Sequence, residues 1–582
     1  MEKGQKKISE LFDGRKVFCV PSYQRSYAWE EKQLNDFLDD LKNQKIEKEY
    51  FLGTILFRQE EKEEEFDKIE IVDGQQRITT IIIFMKVLID FLKGKGEQKE
   101  KIEMLEDAYI KYKNKIKLKM QEDDNEFFQT YILNEGENAK EFVKTPSQRR
   151  LLFAKEYFKR ELSGFPSEEL KVIRDKIEKS NILTYSVSDP SDAALIFETT
   201  NDRGKILTNL EKIKSFLMYK SYLAGEEISS NLIENICQRF GEIYRIIDKI
   251  HEQDLGIDED SVLQYNFIGY EKWDKKRDYQ DYMTKIKNKI NDLLREDQIK
   301  TIEFIDEYSK NLKESYEFLL KILKDNSDDI RNLYILKRMG IFYPLLIKTY
   351  RYDESDDKKN FLKIARILEI FSFRILSLKF KRTNDVDTFL NSLAKEFNGN
   401  YVEIIRILKE KILEISPDNL FKNKLSSTNF YNEFANIDKN YLLWKYENYL
   451  RTFQSPRYSP MSEIEFTAKD KKYILSVEHI ASQNPKVTTD NIKFEEMTDE
   501  FKENFLNRLG NLTFDPLSSN ASKGNISVPE KNSKYFKKAP FMTQNELEEF
   551  MEDSRWTRNS ILKREEKIIN FAVDHWDPRK IE

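Results

Sequence analysis

Apolar residues recur along this chain with two different periods, and the change of period marks its organisation. In the first third, short apolar runs alternate with amphipathic stretches. Ile8 to Phe12 suits a short helix and Val17-Phe18-Cys19-Val20 a strand, while Leu34, Phe37, Leu38 and Leu41 recur at the spacing of one helix face. Phe51 to Phe57 and Lys68 to Val72 predict two more strands, with an acidic loop from Gln59 to Glu65 between them. From Gln75 to about Leu92 apolar residues crowd into one long helix, and Ile182 to Val187 predicts a further strand. Lys101 to Lys140, rich in Lys and Glu, reads as exposed helices. From Ser229 to about Leu443 the pattern is helical throughout, and the stripes in Phe318–Leu323, Ile341–Ile347 and Phe361–Phe371 read as core. Near Tyr441 the texture changes to aromatic- and proline-bearing sequence. Beyond it, Ser476 to Ile480 ends an apolar run on a polar pair, Leu509 to Phe514 is strand-like, and Phe541 to Asp553 is acidic and helical. Trp556 to Trp576 predicts a last amphipathic helix with Ile561, Ile568, Ile569 and Ala572 inward.

These elements predict an α+β chain that is predominantly helical, divided at residues 1–225, 226–440 and 441–582. A length of 582 residues is too great for one typical core, which agrees with several domains. No run approaches the roughly 20 apolar residues that cross a bilayer, and no basic-plus-apolar leader opens the chain, so a cytoplasmic protein without membrane contact is expected. The two cysteines, Cys19 and Cys237, are far apart and lack metal-ligand spacing, which argues against a disulfide framework or a zinc site. A net charge of −6 gives no global nucleic-acid signature, so any DNA contact must be local. The best local patch is Lys531, Lys534, Lys537 and Lys538, interleaved with Tyr535 and Phe536 and preceded by Lys523.

The chemistry concentrates near the C-terminus. Only three histidines exist, and one of them, His479, stands beside Glu478 at the end of an apolar run, with Asn511 and Asn520 downstream. Such a His is a candidate general base. An acidic residue beside a His, then Leu-Gly-Asn-Leu-Thr-Phe, then an Asn opening a polar stretch, is similar to the order of parts in a ββα-metal (HNH) nuclease hairpin. Phosphodiester hydrolysis needs a neutral imidazole to take a proton from water and a hard divalent cation to neutralise developing charge. Oxygen donors hold such a cation, here Glu478 and the Asn520 carbonyl, with Mg²⁺ or Mn²⁺ as the ion. Asn511 is expected to orient His479 by hydrogen bonding. The plainer alternative is that Glu478-His479 ends a strand with a polar step.

In the first third, the strand Lys68–Val72, the Asp73-Gly74 turn and a helix opening at Gln75-Gln76-Arg77 bring backbone N–H groups and a positive helix end to one point, which favours an anion such as phosphate. Arg77, joined by Arg25 from the loop after Pro21, would add bidentate contacts. No Gly-x-x-x-x-Gly-Lys-Ser/Thr segment exists, which excludes a P-loop.

Two sets of motifs together resemble one family. Pro-x-Tyr23-Gln24-Arg25-x-Tyr-x-Trp, Leu-Gly-Thr-Ile-Leu, Val-Asp73-Gly74-Gln75-Gln76-Arg77 and Phe-Glu-Thr-Thr-Asn201-Asp-Arg203-Gly are similar to the N-terminal domain of GmrSD-type restriction enzymes. Val-Glu478-His479-Ile-Ala-Ser-Gln, Asn507-Arg-Leu-Gly-Asn511-Leu-Thr, Asn520 and Trp556…Ile561…Arg564 are similar to their HNH-like C-terminal domain, with Ser482 where Pro is usual and Thr200 where Leu is usual. The resemblance implies a small ParB/sulfiredoxin-like N-terminal domain, an all-α middle and a C-terminal ββα-metal core with flanking helices. It implies a nucleoside triphosphate, bound or hydrolysed at Tyr23, Gln24, Arg25, Asp73, Gly74, Gln75, Gln76 and Arg77, with Asn201 and Arg203 near the same phosphates or serving as a helix cap. It implies a type IV endonuclease of anti-phage defence that cuts modified DNA. The rival reading is a nucleotide-gated DNA-binding clamp that does not cut. A nuclease indifferent to modification is a third possibility, and a homo-oligomer is left open.

Overall fold

The computed structural model describes residues 4–43, 51–59, 65–113, 115–134, 136–187, 208–252, 256–453, 459–462, 466, 475–483, 498–516 and 526–582. The chain divides into two units, residues 1–323 and 324–582.

The first unit is built on a six-stranded mixed sheet. Its strands are β1 (Gly4–Lys7), β2 (Lys16–Cys19), β3 (Phe51–Gln59), β4 (Asp67–Asp73), β5 (Leu118–Lys119) and β6 (Asn181–Val187), in the order β1-β6-β3-β4-β2-β5. β3 pairs antiparallel with β4 and parallel with β6, and β2 lies parallel to β4. The predicted strands and the long helix are all present. The Lys101–Lys140 stretch differs from expectation. Its helix Lys99–Tyr109 buries Ile102, Leu105 and Tyr109, and Leu118 enters the core as part of the edge strand β5. A two-residue strand is too short to show a period, so the pattern of charges masked it.

β4 turns directly into helix α1 (Gln75–Gly94) through Gly74, whose φ is +90°. A Cβ there would lie 2.8 Å from Ile55 Cγ1, so both the left-handed backbone and the close approach to β3 require glycine. α1 is apolar on nearly every side, as a helix enclosed by its neighbours must be. Ile78, Ile81 to Met85, Val87 to Ile89 and Leu92 are fully buried. Helix α2 (Pro146–Leu162) packs on it, opened by Thr145, whose side chain accepts from Gln148 N, and by Pro146 in the first turn. Helices α3 (Asn209–Ala224) and α4 (Glu226–His251) then pack on each other, and α5 (Glu259–Tyr270) contacts α3.

Among the described residues the second unit is helical apart from one antiparallel pair, β7 (Leu475–His479) with β8 (Leu512–Pro516), in which His479 faces Leu512 and Glu478 faces Thr513. The stripe predicted at Phe361–Phe371 is core, with Phe361, Ile364, Ile367, Leu368 and Phe371 fully buried. Beyond the strand pair comes the short helix α6 (Val528–Lys534). The last long helix, α7 (Arg558–His575), buries Ile561, Ile568 and Ala572 completely, as its spacing predicted. It lies so close to the turn before β8 that a Cβ on Gly510 would meet Ile561 O at 2.1 Å. No described helix is long and apolar enough to cross a membrane.

Candidate active site

Three features of the sequence place His479. The apolar run ending at Val477 makes β7, Asn511 stops the strand, and α7 clamps the turn from behind. The Arg564 guanidinium, fully buried on α7, donates to the carbonyls of Gly510 (2.9 Å) and Leu512 (2.7 Å) and pairs with Glu546 (3.0 Å). Arg508 forms a second ion pair with α7, donating to both oxygens of Glu565. The start of β8, and through it the end of β7, is therefore fixed to a buried charged framework.

Asn511 does not orient His479 as expected. Its side-chain oxygen accepts from Ala481 N (2.9 Å) and from the Trp556 indole (3.0 Å), and its amide donates to Leu506 O (2.8 Å). Fully buried, with donor and acceptor both engaged by the loop, it fixes the chain just beyond His479 instead. The residue that reaches the imidazole is Asn507, whose Oδ1 lies 3.2 Å from His479 Nε2. Tyr431 packs its ring on the other side, centroid to centroid 4.3 Å, and binds the Asn507 carbonyl through its own N–H at 2.9 Å. Lys439 sits over the Tyr431 ring at 3.9 Å and donates to the Tyr431 carbonyl. Sequence reasoning missed all three. Asn507 lies inside the Asn-Arg-Leu-Gly-Asn-Leu-Thr motif, where spacing cannot say which asparagine turns toward the histidine. Tyr431 and Lys439 belong to a helical stretch with no motif at all.

His479 is only 7% exposed, and burial pushes its imidazole down to about 4, with the Lys531 and Lys439 charges adding to the effect and the Asn507 bond opposing it. It is neutral at pH 7. Glu478 is equally buried and accepts from the Lys531 ammonium at 2.7 Å. Lys531, on α6, also donates to the carbonyls of His479 (3.0 Å) and Ile480 (3.2 Å). This corrects its expected role. Lys531 is not a surface phosphate contact, because all three of its N–H donors are spent inside the protein, and Phe536 beside it is core as well. Lys534, Lys537 and Lys538 are exposed, with Lys534 paired to Glu530 and Lys537 to Glu548. Asn520 and Lys523 lie outside the described residues.

Among the described residues no group of three or more His, Cys, Asp or Glu side chains gathers as a metal centre. The donor type still fits a hard cation. Glu478 offers carboxylate oxygens with about four lone-pair sites in all, so one bond from Lys531 does not exhaust it.

In the first unit, the loop after Pro21 is stitched to the Asp73–Arg77 turn by amide side chains. Gln75 Nε2 donates to Arg25 O (2.5 Å), Gln76 Nε2 to Ser26 O (3.1 Å), and Gln76 Oε1 accepts from Ala28 N (2.8 Å). Gln24 Nε2 returns to Val72 O (2.5 Å). Tyr23 hydrogen-bonds Glu70, and Lys214 on α3 donates to the Tyr23 carbonyl at 2.8 Å. Arg25 pairs with Glu259 at 3.3 Å, and Arg77 donates to Thr54 O at 2.6 Å, lying flat against Gly53 where a Cβ would meet its Cζ at 2.9 Å. Burial raises the Asp73 carboxyl, against the pull of Arg77 and the Gly74 N–H. The two motifs thus form one braced unit around a small cleft lined by Arg25, Ser26, Gln75, Gln76, Gln121 and Asp124. Asn201 and Arg203 lie outside the described residues.

An imidazole held neutral at the end of a two-stranded antiparallel sheet, in a chain that opens with a separate α/β unit, defines a candidate hydrolase site. Comparison with known families gives its class. Residues 8–218 match the family model described as GmrSD restriction endonuclease, N-terminal domain, and residues 415–571 match the one described as GmrSD restriction endonucleases, C-terminal domain. Both matches are to restriction endonucleases, and together they cover more than half of the chain. The chain belongs to the GmrSD-type restriction endonuclease family. A comparison with curated proteins finds no match.

Proposed function

We propose that this chain is a type IV, modification-dependent DNA endonuclease whose phosphodiester hydrolysis runs at His479 in an HNH-type site and is controlled by a nucleoside triphosphate in the N-terminal unit. The observation that carries the reading is the state of His479: it is kept neutral by burial, at about 4, at the end of β7. A neutral imidazole takes a proton from the attacking water, and the arriving phosphodiester anion raises its affinity for that proton. The sequence of β7, β8 and helix α6 supports the ββα order, as the mixed sheet of the first unit supports a ParB/sulfiredoxin-like fold there. Glu478 and Asn520 are the residues that would hold Mg²⁺ or Mn²⁺. When bound, the ion supplies charge neutralisation at the phosphate and the leaving oxygen. Lys534, Lys537 and Lys538 would meet the DNA backbone.

A nucleotide at Arg25, Asp73 and Arg77 would bias cleavage only through differential affinity for two arrangements of the chain. Digestion of phage DNAs carrying different base or backbone modifications, with and without each nucleoside triphosphate, tests this reading. Cleavage confined to modified DNA and altered by one nucleotide supports it, and equal cleavage of plain and modified DNA contradicts it. The Lys531–Glu478 ion pair favours one rival, the nucleotide-gated clamp without cleavage, because the carboxylate already has a cationic partner. Absence of any nicked product with Mg²⁺ or Mn²⁺ would decide for that rival.

A further inference from the structure

We infer that Asn507 is a positioning residue that fixes the tautomer of His479, leaving Nδ1 as the nitrogen that accepts the proton. The inference rests on the nuclease reading and adds to it which atom acts and what sets it. The contact is between His479 Nε2 and the side-chain oxygen of Asn507 at 3.2 Å. A carbonyl oxygen only accepts, so in the neutral ring Nε2 carries the hydrogen and the lone pair is on Nδ1.

Asn507 is itself held at its backbone. Its carbonyl accepts from Tyr431 N at 2.9 Å, and the Tyr431 ring lies against the imidazole at 4.3 Å between centroids. Lys439 in turn covers the outer face of Tyr431 at 3.9 Å. One residue thus sets where the proton sits and its neighbour sets the plane of the ring. Rotation of the imidazole that placed Nδ1 against Asn507 would oppose two acceptors, so the arrangement is selective for one orientation as well as one tautomer.

The test uses the full chain labelled with ¹⁵N-histidine, whose three imidazoles give a small set of signals, His479 being identified by its loss in His479→Gln. At pH 7 the wild-type His479 is expected to show a protonated, pyrrole-type Nε2 and an unprotonated, pyridine-type Nδ1. Asn507→Ala is expected to give a mixture of tautomers and a kcat for DNA cleavage lower by about 10- to 100-fold, the range of losses for residues that orient a histidine from behind. KM for DNA should move little, and Asn507→Asp, which still offers an oxygen to Nε2–H, should restore the single tautomer. A wild-type spectrum with the proton on Nδ1 overturns the inference without any variant, and so does an unchanged tautomer in Asn507→Ala. If the tautomer follows Asn507 but His479→Gln cuts DNA normally, the nuclease reading fails instead.

Discussion

Lys531 donates to Glu478 at 2.7 Å with the two side chains only 1% and 9% exposed, so a lysine from the helix after the hairpin is the counter-ion of the acidic residue beside His479. Removing one partner of such a pair strands the other charge in a low-dielectric interior. Lys531→Met is therefore expected to destabilise the fold by about 3 kcal/mol or more, and Lys531→Met with Glu478→Gln to recover much of that loss. Denaturant titrations of both variants measure the difference. Equal losses in the single and double variants would mean that the pair is not what holds α6 to β7.

The turn before β8 makes a second prediction. Gly510 passes Ile561 with no room for a methyl group, so Gly510→Ala must displace α7 or the turn. Asn511→Ala removes three buried hydrogen bonds and leaves the Ala481 N–H and the Trp556 indole without their acceptor, at an expected cost of about 3 kcal/mol. Both changes should lower the melting temperature. Activity lost in Asn511→Ala should track unfolding and return at lower temperature, which a direct role on His479 would not allow.

Acid stability follows from two histidines. Burial depresses His479 to about 4 and His575 to about 3 from an ordinary 6.5. The unfolded chain then binds more protons than the folded one between those values and 6.5, so stability is complete above about 6.5 and falls as the pH drops toward 4. For His479 alone the shift corresponds to about 3 kcal/mol. Melting temperatures from pH 7 to pH 4 should decline, and His479→Gln should flatten the decline. A wild-type curve with no slope in that window would contradict the buried, neutral imidazole.

In the N-terminal unit, Gln76 bonds Ser26 O and Ala28 N, tying the Arg25 loop to the start of α1. Gln76→Ala should increase amide hydrogen exchange across residues 24–29 and weaken the nucleotide dependence of cleavage. Arg77→Ala should remove that dependence more fully. Nucleotide dependence unchanged in Arg77→Ala would end the control proposal while leaving the nuclease site untouched.

Much of the fold is legible in the amino-acid sequence alone. The strands at Phe51 and Lys68, the Asp73-Gly74 turn into α1 and the inward face of α7 follow from period and from glycine, because each is decided by local pattern. The neighbours of His479 are not legible there. Asn507 and Asn511 carry the same side chain in one motif, and which of them faces the ring depends on the strand end at Ile480 and on Trp556, both distant in sequence. Lys531 reads as part of a solvated basic run, yet the helix turns it inward beneath Glu478 while Lys534, Lys537 and Lys538 stay outside. Tyr431 reaches the site only through packing, which no period of apolar residues encodes.

The most direct test is a nicking assay on supercoiled plasmid and modified phage DNA with Mg²⁺ or Mn²⁺, comparing wild type with His479→Ala. The replacement of a general base is expected to slow cleavage by about 100-fold or more with the fold retained. Cleavage by His479→Ala at the wild-type rate would remove the imidazole from the chemistry and with it the account given for the C-terminal unit.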